Sequence, residues 1–88
     1  MIEPDTIREK VEQALPGAQV AVHDLTGTRD HYRLTIVAPQ FEGQIMIKQH
    51  KMIYEILNDD MEAKGGGIHA LSLATYTPQQ WEQQQKGN

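Results

Sequence analysis

Apolar positions along this chain alternate between two spacings, and the switches outline six elements. Ile7, Val11, Ala14 and Leu15 recur at helical spacing. Ahead of them, Thr6-Ile7-Arg8-Glu9 fits a capping box in which the threonine side chain serves the Glu9 amide and the glutamate reaches back. Pro16-Gly17 ends that helix. The period then falls to two. Gln19 to Asp24 carries Val20 and Val22 on one face. His31 to Val37 turns Tyr32, Leu34 and Ile36 inward and His31, Arg33 and Thr35 outward. The polar segment Thr26-Gly27-Thr28-Arg29-Asp30 between them predicts a hairpin turn.

Pro39 and Gly43 bracket an irregular passage around Phe41, and Ile45-Met46-Ile47 fits either a strand or the start of a helix. From Gln49 the helical period returns, with Met52, Ile53, Ile56, Leu57 and Met61 in one wide stripe and Asp59, Asp60 and Glu62 outside it. Lys64 suits a helix C-terminus, and Gly65-Gly66-Gly67 suits its end. Ile68 to Thr77 predicts a third strand, in which His69 heads a row continued by Leu71 and Leu73. Pro78 opens a short last helix, Gln79 to Gln85, anchored by Trp81. Residues 83–88, rich in glutamine, are expected to form a frayed, disordered tail.

The order is α-β-β-α-β-α, which predicts an α+β fold with a three-stranded sheet and helices packed on one face. The second and third strands are joined through a helix, so they can lie parallel with a right-handed connection. A length of 88 residues suits one domain, placed at residues 1–82. A domain this small buries only about 60% of the surface its unfolded chain exposes, so its core is thin.

Composition removes several chemistries. There are no cysteines, which excludes disulfides, thiolate metal sites and cysteine nucleophiles. No apolar run approaches the roughly 18 residues of a membrane span, and the start of the chain lacks a signal-peptide pattern. The expectation is a soluble cytoplasmic protein with no membrane partner. The net charge of −4 argues against a broad nucleic-acid footprint and leaves room for a local basic patch.

Enzyme chemistry is poorly supplied. Gly65-Gly66-Gly67 follows a helix and precedes a strand, the reverse of a nucleotide-binding loop. Ser72 lies mid-strand rather than in a nucleophile elbow, and the carboxylates cluster where capping and solvation explain them. The protein is therefore not expected to be an enzyme. Four histidines remain: His23, His31, His50 and His69, none paired at the i, i+4 spacing of a helical zinc site. His23 and His31 flank the hairpin turn, and His69 opens the third strand. If that strand lies beside the hairpin, His69 and the turn approach each other. The result is a metal site of two histidines with open positions. The alternative is that each is an ordinary core or edge histidine. Lys48-Gln49-His50-Lys51 is the basic stretch, either a phosphate contact at a helix start or a solvated first turn. Tyr32, Phe41, Tyr54, Tyr76 and Trp81 are too scattered for a base-stacking platform.

One combination of segments is more specific. It comprises His31-Tyr32, Phe41-Glu42-Gly43, Gln49-His50-Lys51-Met52-Ile53-Tyr54 with Leu57, Ile68-His69-Ala70-Leu71, and Thr75-Tyr76-Thr77-Pro78 with Trp81. At these spacings it resembles the BolA family over residues 5–82. The resemblance implies a class II KH-like fold, in agreement with the element order. It also implies a CGFS monothiol glutaredoxin as partner and a 2Fe–2S cluster shared with that partner and glutathione, in iron–sulfur trafficking or iron and redox regulation. In that picture His69 is one ligand and a second comes from the region between the first two strands. Relatives of the cysteine type would place that ligand near Thr28, which is not a soft ligand. His31 is then the first candidate and His23 the alternative. Imidazole in place of thiolate makes a cluster less negative and raises its potential.

The family also implies a DNA-binding regulator acting through the helix near His50, with Lys48, His50 and Lys51 as the contacts. Gln49 stands where the family often has arginine, which weakens phosphate contact. A third reading is a cofactor-free interaction module. No long hydrophobic seam demands an oligomer, so a monomer or weak homodimer is expected.

Overall fold

The computed structural model describes residues 2–86. Its elements are α1 (Pro4–Ala14), β1 (Gln19–Asp24), β2 (His31–Val37), α2 (Met46–Ile56), β3 (Ala70–Tyr76) and α3 (Pro78–Lys86), with 3₁₀ turns at Pro39–Phe41, Asn58–Asp60 and Glu62–Lys64. The sheet order is β1-β2-β3; β2 lies in the middle, antiparallel to β1 and parallel to β3. This is the expected α+β architecture.

Register follows from the alternation. Leu34 lies between Val22 and Leu73, and Ile36 between Val20 and Thr75, so the apolar rows of the three strands share one face. Against that face α1 lays Ile7 and Val11, and α2 lays Ile53. These residues are fully buried with Tyr32, Leu34, Ile36, Phe41, Leu57 and Ile68. Each such side chain contributes about 1.5–3 kcal/mol by leaving water. The third helix behaves differently. Trp81 packs against Tyr76 with ring centres 5.1 Å apart and planes tilted by 58°, and lines a shallow hollow with Gln19, Ala21, Thr35 and Val37. Alternation places those residues on the opposite face of the sheet.

Four local expectations change. The capping box does not form: the helix starts at Pro4, whose fixed φ suits the first turn, and the Glu3 carbonyl takes the Thr6 and Ile7 amides. Ala14 is exposed, because a helix packed on β1 buries only the narrow Ile7-Val11-Leu15 stripe. The second helix begins at Met46 and stops at Ile56, well short of Lys64. Beyond it the backbone turns to pair with Ile68: the Ile68 amide donates to the Asp60 carbonyl and the Glu62 amide to the Ile68 carbonyl, both at 2.8 Å. Met61 continues the helical period in sequence but reaches the core from this bridge. The tail expected at residues 83–88 is helical as far as Lys86, which pairs with Glu82 at 3.0 Å; residues 87 and 88 lie outside the described residues.

The glycines after Lys64 are required by this path. Gly65 caps the 3₁₀ turn in the left-handed region, at φ 88°. A Cβ on Gly66 would overlap the Asp60 backbone.

Candidate metal centre

The site is built where the loop from β1 enters β2. The Asp24 carboxylate accepts hydrogen bonds from the amides of Thr26, Gly27 and Arg29, at 3.3, 3.0 and 3.1 Å. It thereby folds the loop back on itself, with Arg29 held at φ 60°. Asp30 closes the loop with both its backbone and its side chain. Its carbonyl accepts the His69 amide at 2.7 Å and the Ala70 amide at 3.1 Å. Its carboxylate accepts the Thr28 hydroxyl and the His31 ring Nδ1, the latter at 2.9 Å.

His69 therefore leaves the apolar row that its spacing suggested. The strand begins only at Ala70, so His69 sits in the bend before it and turns outward, while Leu71 and Leu73 go on to the core. Parallel pairing sets Ala70 beside His31. The His69 and His31 rings come to rest 4.9 Å apart, tilted by 50°. The His69 side chain is 58% exposed and that of His31 35%, so a second molecule can reach both. His69 Nδ1 meets the Glu62 carboxylate, carried there by the bridge between Met61 and Ile68. Glu62, His69, Gly66, Gly67 and Asp30 line one hollow.

Electrostatics follow from these contacts. The hydrogen bond and charge of Glu62 raise the His69 pKa above the ordinary 6.5. The Thr28 hydroxyl, followed by the His31 ring, draws the Asp30 carboxyl from 3.8 down to about 2.

His23 is placed elsewhere. It lies on β1 opposite Arg33, with β2 between it and β3. Two strand spacings, about 10 Å, separate those outer strands.

The donor set fits part of a cluster site. A carboxylate accepts and does not donate, so both Nδ1 contacts suit a neutral ring protonated at that nitrogen. Each Nε2 then has the free lone pair that a metal needs. Among the described residues, no group of three or more His, Cys, Asp or Glu side chains could hold a metal ion. Any cluster held by these two histidines takes its remaining ligands from another molecule.

The basic stretch lies at the other end of the fold. Lys48 and Lys51 are exposed on α2 and His50 is half-buried; among the described residues neither lysine has an ion-pair partner. Gln49, read from sequence as a weakened phosphate contact, points inward and is 4% exposed. It donates to the Gln44 carbonyl at 2.8 Å and accepts from the Thr75 hydroxyl at 2.7 Å, so its identity bears on packing and not on phosphate. Ile45, Met46 and Ile47 stand 64–76% exposed beside these lysines. Among the described residues no helix is long and apolar enough to cross a membrane.

Two members of the site were not identified from sequence. Asp30 had a signal, since it abuts His31. Glu62 had none, because the contact depends on a bridge that replaces the expected helix.

Known proteins resemble this chain over most of its length. The family model BolA, BolA-like protein, matches residues 9–80. Mouse BolA-like protein 2 is 32% identical over 87 residues, covering 97% of this chain and 96% of the relative. The DNA-binding transcriptional regulator BolA of Escherichia coli is 31% identical, covering 86% of this chain and 80% of the relative. Among solved structures, the BolA domain of SufE1 from Arabidopsis thaliana superposes with a TM-score of 0.75 at 35% identity, covering 86% of this chain and 92% of that one. Sequence segments, strand order and these likenesses agree: the chain belongs to the BolA family.

Proposed function

We propose that this chain donates histidine ligands to a 2Fe–2S cluster shared with a CGFS monothiol glutaredoxin and glutathione, in iron–sulfur trafficking or iron and redox regulation. One observation carries the reading: His31 and His69 lie 4.9 Å apart at an accessible loop, each with Nδ1 on a carboxylate. The chain has no cysteine, so thiolates come from the partner. Support for His31 over His23 as second ligand comes from its place beside Ala70. A cluster with imidazole ligands sits at a higher potential than an all-thiolate one, which suits transfer or sensing.

The test is reconstitution of the cluster on a CGFS glutaredoxin with glutathione, followed by addition of this chain. The visible spectrum is expected to change with the wild type and not with His69→Ala. Identical spectra for the two proteins sink the reading.

A second reading is regulation through DNA, supported by the name of the Escherichia coli relative and by the exposed Lys48 and Lys51. Two lysines release few counterions, so the expected log–log salt slope is shallow, about −2. Unchanged duplex binding by the Lys48→Ala, Lys51→Ala double variant excludes this surface.

A further inference from the structure

We infer that Glu62 and Asp30 are positioning residues that fix His69 and His31 as Nδ1–H tautomers, so that both rings present Nε2 outward to a metal. The inference deepens the shared-cluster reading in naming what those nitrogens bind, but its primary readout stands on the chain alone.

The argument is one of convergent geometry. The two imidazoles come from different elements and neighbour each other across a parallel strand pair. Each uses the same ring nitrogen, Nδ1, and each meets a carboxylate. Neither carboxylate has a competing salt-bridge partner among the described residues, and Asp30 is held further by the Thr28 and Thr26 hydroxyls. A free histidine in water favours the opposite tautomer, with the proton on Nε2. An Nε2–H ring cannot ligate through that nitrogen until the proton leaves. The carboxylates therefore remove a rearrangement before metal binding and restrict ring rotation, the usual office of groups behind a histidine ligand. Asp30 has a second part, since its carbonyl holds the His69 and Ala70 amides and keeps the two rings adjacent.

The test uses the full chain with ¹⁵N-histidine. Long-range ¹H–¹⁵N spectra are recorded near pH 8.5, about two units above the ordinary imidazole value. His69 and His31 are expected as Nδ1–H, with free histidine in the same buffer as the reference pattern. Glu62→Ala is expected to move His69 toward Nε2–H. Glu62→Gln restores Nδ1–H, because the amide oxygen still accepts. At the other ring, Asp30→Ala is expected to move His31 toward Nε2–H and Asp30→Asn to keep Nδ1–H; both leave the Asp30 carbonyl in place to hold His69. Amide spectra of each variant report that the fold is kept. An Nε2–H pattern at His69 in the wild type overturns the inference, and so does a Glu62→Ala spectrum unchanged from wild type.

The cluster complex gives the second readout. Glu62→Ala is expected to weaken retention of the cluster against a chelator by on the order of 10–100-fold, with Glu62→Gln closer to wild type. Nδ1–H tautomers combined with no cluster transfer from the glutaredoxin overturn the shared-cluster reading and support the tautomer inference. Cluster formation with Nε2–H tautomers has the opposite meaning.

Discussion

The two ends of β3 are built on opposite principles. At its start, charged and ring groups meet at the surface: His69, His31, Glu62 and Asp30, held by backbone bonds from Asp30 and Ile68. At its end, a polar pair is buried instead: Gln49 on α2 and Thr75 on β3, at 2.7 Å. Outside that buried pair stand Ile45, Met46, Ile47, Lys48 and Lys51, all exposed. Six residues of strand, about 20 Å, separate Thr75 from His69. The comparison teaches where polar groups serve chemistry and where they serve packing. At the histidine end they are accessible and paired so as to leave one ring nitrogen free. At the far end the polar pair satisfies itself in the interior, and the surface above it is apolar and cationic.

The largest way to break the contrast is at its foundation. Ile68 is fully buried, and its backbone holds both Asp60 and Glu62. Ile68→Ala is expected to cost about 2–5 kcal/mol in urea unfolding and to blur the His31–His69 pair in the same protein. Next comes the far end alone. Gln49→Ala leaves the Thr75 hydroxyl and the Gln44 carbonyl without that partner, costing about 1–3 kcal/mol. The histidine ring shifts should not move. A change there as large as that from Ile68→Ala would show that the two ends are one unit.

Titration sharpens the contrast further. NMR titration is expected to place His69 above 6.5, and Glu62→Gln to return it toward that value. Because the folded value exceeds the unfolded one, this contact stabilises fully below about 6.5 and fades as pH rises through the folded value. Asp30 has the opposite sign: its contacts stabilise above 3.8 and are lost as pH falls toward about 2. The smallest effect belongs to the exposed lysines. The Lys48→Ala, Lys51→Ala double variant should stay within about 0.5 kcal/mol of wild type, read from the urea midpoint.

The sheet was legible because its signal is local. Tyr32, Leu34 and Ile36 alternate without interruption, and β1 and β2 lie within the residues the alternation marks. Parallel pairing of β2 and β3 followed from the helix between them, and it is what allows His69 to reach His31. The end of α2 was misread because Met61 keeps a 3.6-residue spacing that the backbone has already abandoned. Gln49 was misread because polarity in a sequence does not distinguish a solvated side chain from one satisfied inside; its partner Thr75 lies 26 residues away. Ile45-Met46-Ile47 was ambiguous for a related reason. An apolar run carries no period, and here it begins a helix at the surface. His69 leaves the apolar row by one residue of strand length: β3 starts at Ala70, so the ring before it faces outward instead of joining Leu71 and Leu73.

The central claim is that His69 and His31 together ligate a cluster that a glutaredoxin also holds. Pulsed EPR of the reduced complex tests it most directly, with ¹⁵N-histidine in this chain alone. Two strongly coupled ¹⁵N nuclei are predicted, falling to one in His31→Ala and to none in His69→Ala, which no longer engages the cluster. A reduced cluster with no histidine ¹⁵N coupling from this chain, or one that keeps both couplings in His31→Ala, would contradict it.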